Sequence, residues 1–360
     1  MLRFNSNKKF KIMQITDIQE IPNISADTLK LLNAALDSEH PDLVVLTGDQ
    51  IKGYGISYKS KADIVNTIKK IMAPITDRGI PFAVTFGNHD CQVGMTNRQQ
   101  LDEIYSTLPN YVHGKNVFDA GTFNVPIYFH NSDNAAFNLF LMYSGTEKKG
   151  GGYEPVSREQ IEWFKAVNKK VGASAILFQH IPLCEYYNLL ERVSRFKEGA
   201  VRAYRTHKNQ YFVLKKTTTG HFLEPPSIPD VNTGEFDAIS ESGNVLGAFV
   251  GHDHKNDFVG KYKNVTMGFT PSAGFNEYGN GLMRGVRVIE LDENNLKSFN
   301  TRVVTYKDLG FKHLEKPIKD YIYRKFPATV DAAIILFRNI ALIIAAIAAL
   351  FAILHKFNII

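Results

Sequence analysis
Carboxylate, amide and imidazole side chains follow directly on five apolar runs of this 360-residue chain. Lys11–Thr16 leads into Asp17-Ile18-Gln19, and Leu43–Thr47 into Gly48-Asp49-Gln50. Phe82–Phe86 leads into Gly87-Asn88-His89-Asp90, Ala175–Gln179 into His180, and Leu246–Val250 into Gly251-His252-Asp253-His254. Taken singly, each block is ordinary turn chemistry, because Asp, Asn and Gly all stabilise turns. Five in one chain, one of them a His-x-His, exceed what turn chemistry supplies. If the runs are strands of shared direction, their polar ends converge on the carboxyl edge, where α/β sheets bind ligands. A donor set of oxygen and imidazole without thiolate suits Mn, Fe or Zn and not a structural Cys-zinc site. Cys91 and Cys184 are the only cysteines, too few for a disulfide scaffold or a thiolate cluster.

The elements that must position these groups are short β-rich runs alternating with helix-period segments. Strands are expected at 10–16, 43–47, 82–86, 137–143, 175–178 and 246–250, with later strand-only runs at 265–269, 285–291 and 301–306. Helices are expected at 26–38, 61–77, 98–107, 158–170 and 183–193, the third opened by Thr96 and Gln99 at capping-box spacing. Helices early and strands late predict an α/β domain of two sheets flanked by helices. Residues 187–244, with Pro225, Pro226 and Pro229 and no clear period, read as an insertion over one face.

The five blocks resemble the calcineurin-like metallophosphoesterase superfamily, whose pattern is D-x-H, G-D, G-N-H-[DE], H and G-H-x-H. The phrases Thr47–Ile51, Arg98–Leu101, Gln160–Phe164, His180–Leu183 and Gly251–Asp257 are similar to its purple-acid-phosphatase-like branch. The resemblance spans about residues 10–291 and implies a four-layer α/β/β/α sandwich with two divalent cations (Mn, Fe or Zn). Asp49 would bridge them. Asn88, His180 and His252 would complete one cation site; Asp17 and His254 would hold the other. His89 would contact a phosphorylated substrate and protonate the leaving oxygen, with Asp90 orienting it. The chain departs from the pattern at Gln19, where the family has histidine, and at Lys52, where purple enzymes have tyrosine. The second cation would then be completed by a Gln19 carbonyl oxygen, by Tyr54 or by water, and no purple colour is expected.

The chemistry implied is phosphoester hydrolysis, monoesters first and diesters or nucleotides next, with metal-bound water as nucleophile. Two cations roughly 3.5–4 Å apart polarise a phosphoryl oxygen and lower the pKa of a water, and an imidazole suits proton donation near neutral pH. A phospho-ligand-binding protein with weakened chemistry is the rival, motivated by Gln19. Arg98, Arg192, Arg195, Arg202 and Arg205 could grip phosphate or form a solvated basic surface. His207, His221, Tyr186 and Tyr187 are lesser pocket candidates.

Composition narrows the classes further. Hydrophobic residues make up 44% and charged residues 22%, which excludes a disordered chain. The net charge of +6 is too diffuse to predict a nucleic-acid partner. No signal-peptide pattern precedes the first strand. Ile334–Leu354 is 21 residues, about 31 Å as a helix, and interrupted only by Arg338 and Asn339. The expected organisation is a catalytic domain over 1–310, a basic juxtamembrane linker over 311–327 and a transmembrane helix over 328–356. Lys312, Lys316, Lys319, Arg324 and Lys325 place the domain on the cytoplasmic side of a C-terminal anchor.

Overall fold
The computed structural model describes residues 1–325, 327 and 330–356. The first half alternates: β1 (Lys9–Ile15), α1 (Ala26–Glu39), β2 (Leu43–Thr47), α2 (Lys61–Thr76), β3 (Phe82–Thr85) and α3 (Asn97–Glu103). There follow β4 (Lys115–Asp119), β5 (Thr122–Tyr128), β6 (Ala135–Met142), α4 (Arg158–Val171) and β7 (Ser174–Gln179). Short elements come next: β8 (Leu190–Val193), β9 (Val201–Arg202), β10 (Tyr211–Leu214) and α5 (Glu235–Glu241). The domain closes with β11 (Val245–Val250), β12 (Val259–Tyr262), β13 (Val265–Phe269), β14 (Gly285–Asp292) and β15 (Phe299–Thr305), before α6 (Pro317–Lys325) and α7 (Val330–Lys356).

Local chemistry sets the helix ends. Thr96 and Gln99 form the expected capping box of α3. Ser157 and Gln160 form another on α4, which stops at Gly172 in the left-handed region. β2 is buried along its whole length, so it reads as a continuous apolar run instead of an alternating one.

Among the described residues, the strands form a five-stranded sheet (β15-β14-β1-β2-β3), a seven-stranded sheet (β12-β13-β11-β7-β6-β5-β4) and a small three-stranded one (β8-β10-β9). β1, β2 and β3 are parallel, with Met13 opposite Val44 and Val44 opposite Phe82. β6, β7 and β11 are parallel in the second sheet, with Phe140 opposite Leu177 and Leu177 opposite Ala248. Alternation then builds the layers. Phe10, Ile12, Leu43 and Val45 face Phe137, Leu139, Ile176 and Phe178 between the sheets. Met13, Ile15, Val44 and Leu46 face α1 and α2 on the other side. Phe140, Met142 and Leu177 pack outward against Ile161 and Phe164 of α4 and Phe236 of α5. The result is the four-layer α/β/β/α sandwich.

One expected element is overturned, and other segments gain detail. The helix expected over 183–193 is a 3-10 turn, Cys184–Leu189, running into strand β8. Tyr186 and Leu189 share a spacing of three that both helix types satisfy, and the Tyr186 hydroxyl is tied to the Ala248 and Gly268 carbonyls. Residues 187–244 carry the three-stranded sheet and α5. β4, β5 and β12 had no clear sequence signal. Within the expected linker over 311–327, residues 311–325 run along the domain: Phe311 stacks on Tyr306, the Glu315 amide donates to Asp27, and α6 follows. Beyond them, α7 carries one span, Leu336–His355, long and apolar enough to cross a membrane (mean hydropathy 2.3), and none of that span is buried against the domain. Residues 328–329 of the expected transmembrane segment lie outside the described residues.

Candidate metal centre
The parallel strands deliver their polar termini to one place between the sheets. Asp17, Asp49 and Asn88 follow β1, β2 and β3; His180 follows β7; His252 and His254 follow β11. Asp17, Asp49 and His180 each offer a ligand atom within 4.8 Å of the others, and all three are buried. His180 Nε2 lies 3.2 Å from Asp49 Oδ2 and 3.9 Å from Asp17 Oδ1. His254 Nε2 lies 3.3 Å from Asp17 Oδ1, and His252 Nδ1 lies 3.2 Å from His180 Nε2. Five of the seven sequence-predicted ligands are thereby in mutual contact, Gln19 joins them with its Nε2 donating to Asp49 Oδ2 at 2.9 Å, and Asn88 follows the neighbouring strand β3.

The backbone takes up costly conformations to achieve this. Asp17, Gln19, Asp49 and His252 have positive φ values of 51°, 38°, 52° and 74°. For residues with a Cβ such backbone costs on the order of 1–2 kcal/mol each, and it collects at functional sites. Gly87 lets the two loops close, since a Cβ there would collide with the Asp49 carboxylate.

Outer hydrogen bonds set which imidazole nitrogen points inward. The Thr47 carbonyl, 3.0 Å from His180 Nδ1, can only accept, so Nδ1 carries the proton and Nε2 faces the carboxylates. The Tyr278 carbonyl does the same for His254 at 2.9 Å. Asp17 Oδ2 accepts from Thr16 Oγ1 and the His252 amide, which leaves Oδ1 turned into the cluster.

Carboxylate and imidazole charges at the centre stabilise one another. Burial alone would lower His180, yet the Asp49 and Asp17 carboxylates lift its imidazole to about 10. Burial opposes ionisation of Asp17 and Asp49, but the surrounding imidazoles lower both, Asp49 to well below the usual carboxylate range. Asn88 is 1% exposed, and neither its Oδ1 nor its Nδ2 has a hydrogen-bond partner; Gln19 Oε1 is likewise buried and unpaired. Leaving a buried polar atom unpaired costs about 1–3 kcal/mol. Two buried carboxylates, inward imidazole nitrogens and unpaired amide oxygens form a donor set that fits hard or borderline divalent cations.

The profile of the Calcineurin-like phosphoesterase family matches residues 10–256, which contain every one of these side chains. The chain belongs to that family. Its purple-acid-phosphatase-like relatives include "Probable inactive purple acid phosphatase 14" of Arabidopsis thaliana, 28% identical over 80% of this chain and 77% of that one. "Phosphatase DCR2" of Saccharomyces cerevisiae is 30% identical over 69% of this chain but only 45% of its own length. Among solved structures, "GAP50 the anchor in the inner membrane complex of Plasmodium" superposes with a TM-score of 0.50 at 14% identity, covering 85% of this chain and 88% of that one, a likeness of fold alone.

The remaining candidates of this calcineurin-like phosphoesterase separate into neighbours of the centre and bystanders. His89 points Nε2 to within 4.0 Å of Asp49 Oδ2, and its Nδ1 pairs with Gln92 Oε1 at 2.8 Å. Gln92, not Asp90, therefore orients the ring. The Asp90 carboxylate is engaged elsewhere, accepting from the main-chain amides of Gly87, Asp49 and Gln50 at 2.8–2.9 Å. It pins the β2 and β3 loops together, and burial plus the Asp49 charge push it up to about 7.

Lys52 turns away to Glu277 at 2.6 Å, and Tyr54 lays its ring against His89, centroids 4.6 Å apart. Partial burial and the Glu277 carboxylate raise the Tyr54 phenol, so it stays a neutral group and not an anionic ligand. Arg98 pairs with Asp102, Arg205 with Asp230, and Arg202 with the Lys208 carbonyl. Arg192 and Arg195 are exposed. His207 stacks on Tyr187, His221 bonds Asp257, and Tyr186 is core. Two aromatic walls escaped the sequence reading: Tyr153 meets His252 edge-on at 4.5 Å, and Tyr278 stacks on His254 at 4.2 Å. Both lie in irregular loops without a period to mark them.

Proposed function
We propose that this chain is a metal-dependent phosphoester hydrolase favouring phosphomonoesters. The observation that carries the proposal is the buried cluster of the Asp17 and Asp49 carboxylates with the His180 imidazole, a combination whose cost a bound cation removes. Asp49, Asn88, His180 and His252 would hold one cation, and Asp49, Asp17, His254 and the Gln19 carbonyl oxygen the other. Bound there, two cations would supply Lewis acidity to a phosphoryl oxygen and lower the pKa of a water. The chain's own residues do the rest. The Thr47 and Tyr278 carbonyls hold His180 and His254 in the ligating tautomer. Gln92 and the Tyr54 ring fix His89 so that Nε2 can give a proton to the departing alkoxide. Tyr153 and Tyr54 wall the site and exclude water beside it. The α7 span supports a C-terminal membrane anchor, and the lysines and arginines of 312–325 favour a cytoplasmic domain.

A second reading has a specific observation behind it. Gln19 replaces a family histidine, and the Arabidopsis relative carries "inactive" in its name, so a tethered phospho-ligand binder is the alternative. The deciding assay is hydrolysis of p-nitrophenyl phosphate and its bis-ester by the full chain, stripped and reloaded with Mn, Fe or Zn. Metal-dependent turnover, faster on the monoester, is expected. Tight phosphate binding without turnover, at one cation per chain, would establish the binder instead. Gln19→His is expected to tighten retention of the cation at Asp17 and His254, since histidine tolerates the left-handed backbone at this position and imidazole is a stronger donor than an amide oxygen. Unchanged cations per chain and unchanged affinity after dialysis would remove Gln19 from the ligand set.

A further inference from the structure
The segment joining the domain to α7 is built as two faces. The inner face of α6 packs on the loop that supports the metal centre. Lys319 Nζ donates to Asn276 Oδ1 at 2.9 Å, and the Arg324 carbonyl accepts from Lys255 Nζ at 3.1 Å. Asp320 is buried between Arg324, at 3.0 Å, and the Gly281 backbone. That loop is continuous with the site: Arg284 donates to the Glu277 and Tyr278 carbonyls, and Tyr278 is the ring stacked on His254. Glu277, paired with Lys52, also lies within electrostatic reach of Tyr323 and Lys319.

The outer face has no partner among the described residues. Ile318, Tyr321 and Ile322 are 77%, 58% and 55% exposed, and Lys325 continues the same i, i+3, i+4, i+7 stripe. Lys312 and Lys316 are exposed just upstream. On the neighbouring loop, Ile56 is 96% exposed two residues beyond Tyr54.

We propose that this face of α6 docks on the headgroup layer of an anionic bilayer and sets the rim of the metal centre against that surface, so that the site takes phosphate esters carried at the membrane. The proposal rests on α7 being the anchor. Five peptide steps separate Lys325 from Val330, and a chain of that length spans at most about 18 Å. The apolar stripe is therefore tethered beside the point where the anchor enters. An apolar stripe flanked by lysines is the composition of an interfacial helix, and basic residues next to a span are drawn to anionic lipid. Loss of the stripe would leave the protein anchored but its rim free to swing away.

The test uses the full chain in vesicles of phosphatidylcholine with and without phosphatidylserine. A fluorophore at Ile322→Cys is compared with one at Val117→Cys on edge strand β4, the unsubstituted chain with Cys91 and Cys184 giving the background. Headgroup-nitroxide lipids are expected to quench position 322 several-fold more than position 117, more strongly with phosphatidylserine, and Ile318→Glu should reduce that quenching. On the activity side, Ile318→Glu should lower turnover of a vesicle-borne phosphomonoester about tenfold while sparing p-nitrophenyl phosphate. If the chain binds vesicles yet position 322 stays as aqueous as position 117, docking is refuted and the anchor stands. If the chain fails to bind vesicles at all, anchor and docking both fall. Concentration-dependent protection of position 322 in detergent without vesicles would replace the bilayer by a second copy of the chain. Equal loss on both substrates would overturn the surface-delivery role.

Discussion

Asp49→Asn should eliminate cation binding at the centre and lower phosphomonoester turnover by roughly three orders of magnitude, while leaving the fold intact. The size follows from the several kcal/mol of transition-state stabilisation that metal ions supply in hydrolytic sites. The specificity follows from position. The Asp49 carboxylate is the common neighbour of His180 Nε2, Gln19 Nε2 and the His89 amide. Asparagine keeps the shape, tolerates the left-handed backbone at φ 52° and retains an acceptor oxygen, so what is lost is charge and not volume. An independent readout accompanies the kinetics. Asp49 is the largest influence raising His180, so the imidazole titration, read by NMR in metal-free protein, should move down from about 10. A fully metal-replete, active variant would refute the bridging role.

His89→Ala should behave in the opposite manner: cation content unchanged, turnover reduced roughly 10²–10⁴-fold. The ring contributes no inward contact except Nε2 at 4.0 Å from Asp49, and its outer nitrogen is held by Gln92. A proton donor matters most when the departing oxygen is a poor leaving group, so the deficit should be large for alkyl phosphates and small for p-nitrophenyl phosphate. A uniform deficit across leaving groups would instead assign His89 to substrate binding. Gln92→Ala, which frees the ring without removing it, should give a smaller loss with the same leaving-group trend.

Much of the centre was readable in the sequence for a physical reason. Parallel strands covered on both faces appear as unbroken apolar runs, as in 43–47 and 245–250, and a polar residue at the end of such a run marks a strand terminus. That logic located Asp17, Asp49, Asn88, His180, His252 and His254. It did not locate β5, where Pro126 interrupts a strand, nor β4, which is largely exposed at a sheet edge. It misassigned Asp90, because a carboxylate that serves main-chain amides leaves no sequence pattern to distinguish it from one that serves a side chain. Tyr153 and Tyr278 reach the centre through loops, and only the three-dimensional path of those loops brings their rings against His252 and His254.

The division of ligands between the sheets has a consequence for how the protein comes into being. The β1, β2 and β3 termini present Asp17, Gln19, Asp49 and Asn88, whereas the β7 and β11 termini present His180, His252 and His254. Neither sheet alone presents the whole of the proposed donor set. During synthesis the carboxylate half is complete by residue 88, but its imidazole partners arrive only with residues 180–254. On the proposed ligand set, the cation sites are complete only once the sandwich has closed. A cation once held there would act as a staple across the central layer, beside the apolar side chains and the Arg287 side chain, which reaches from β14 to the Phe269 carbonyl of the other sheet.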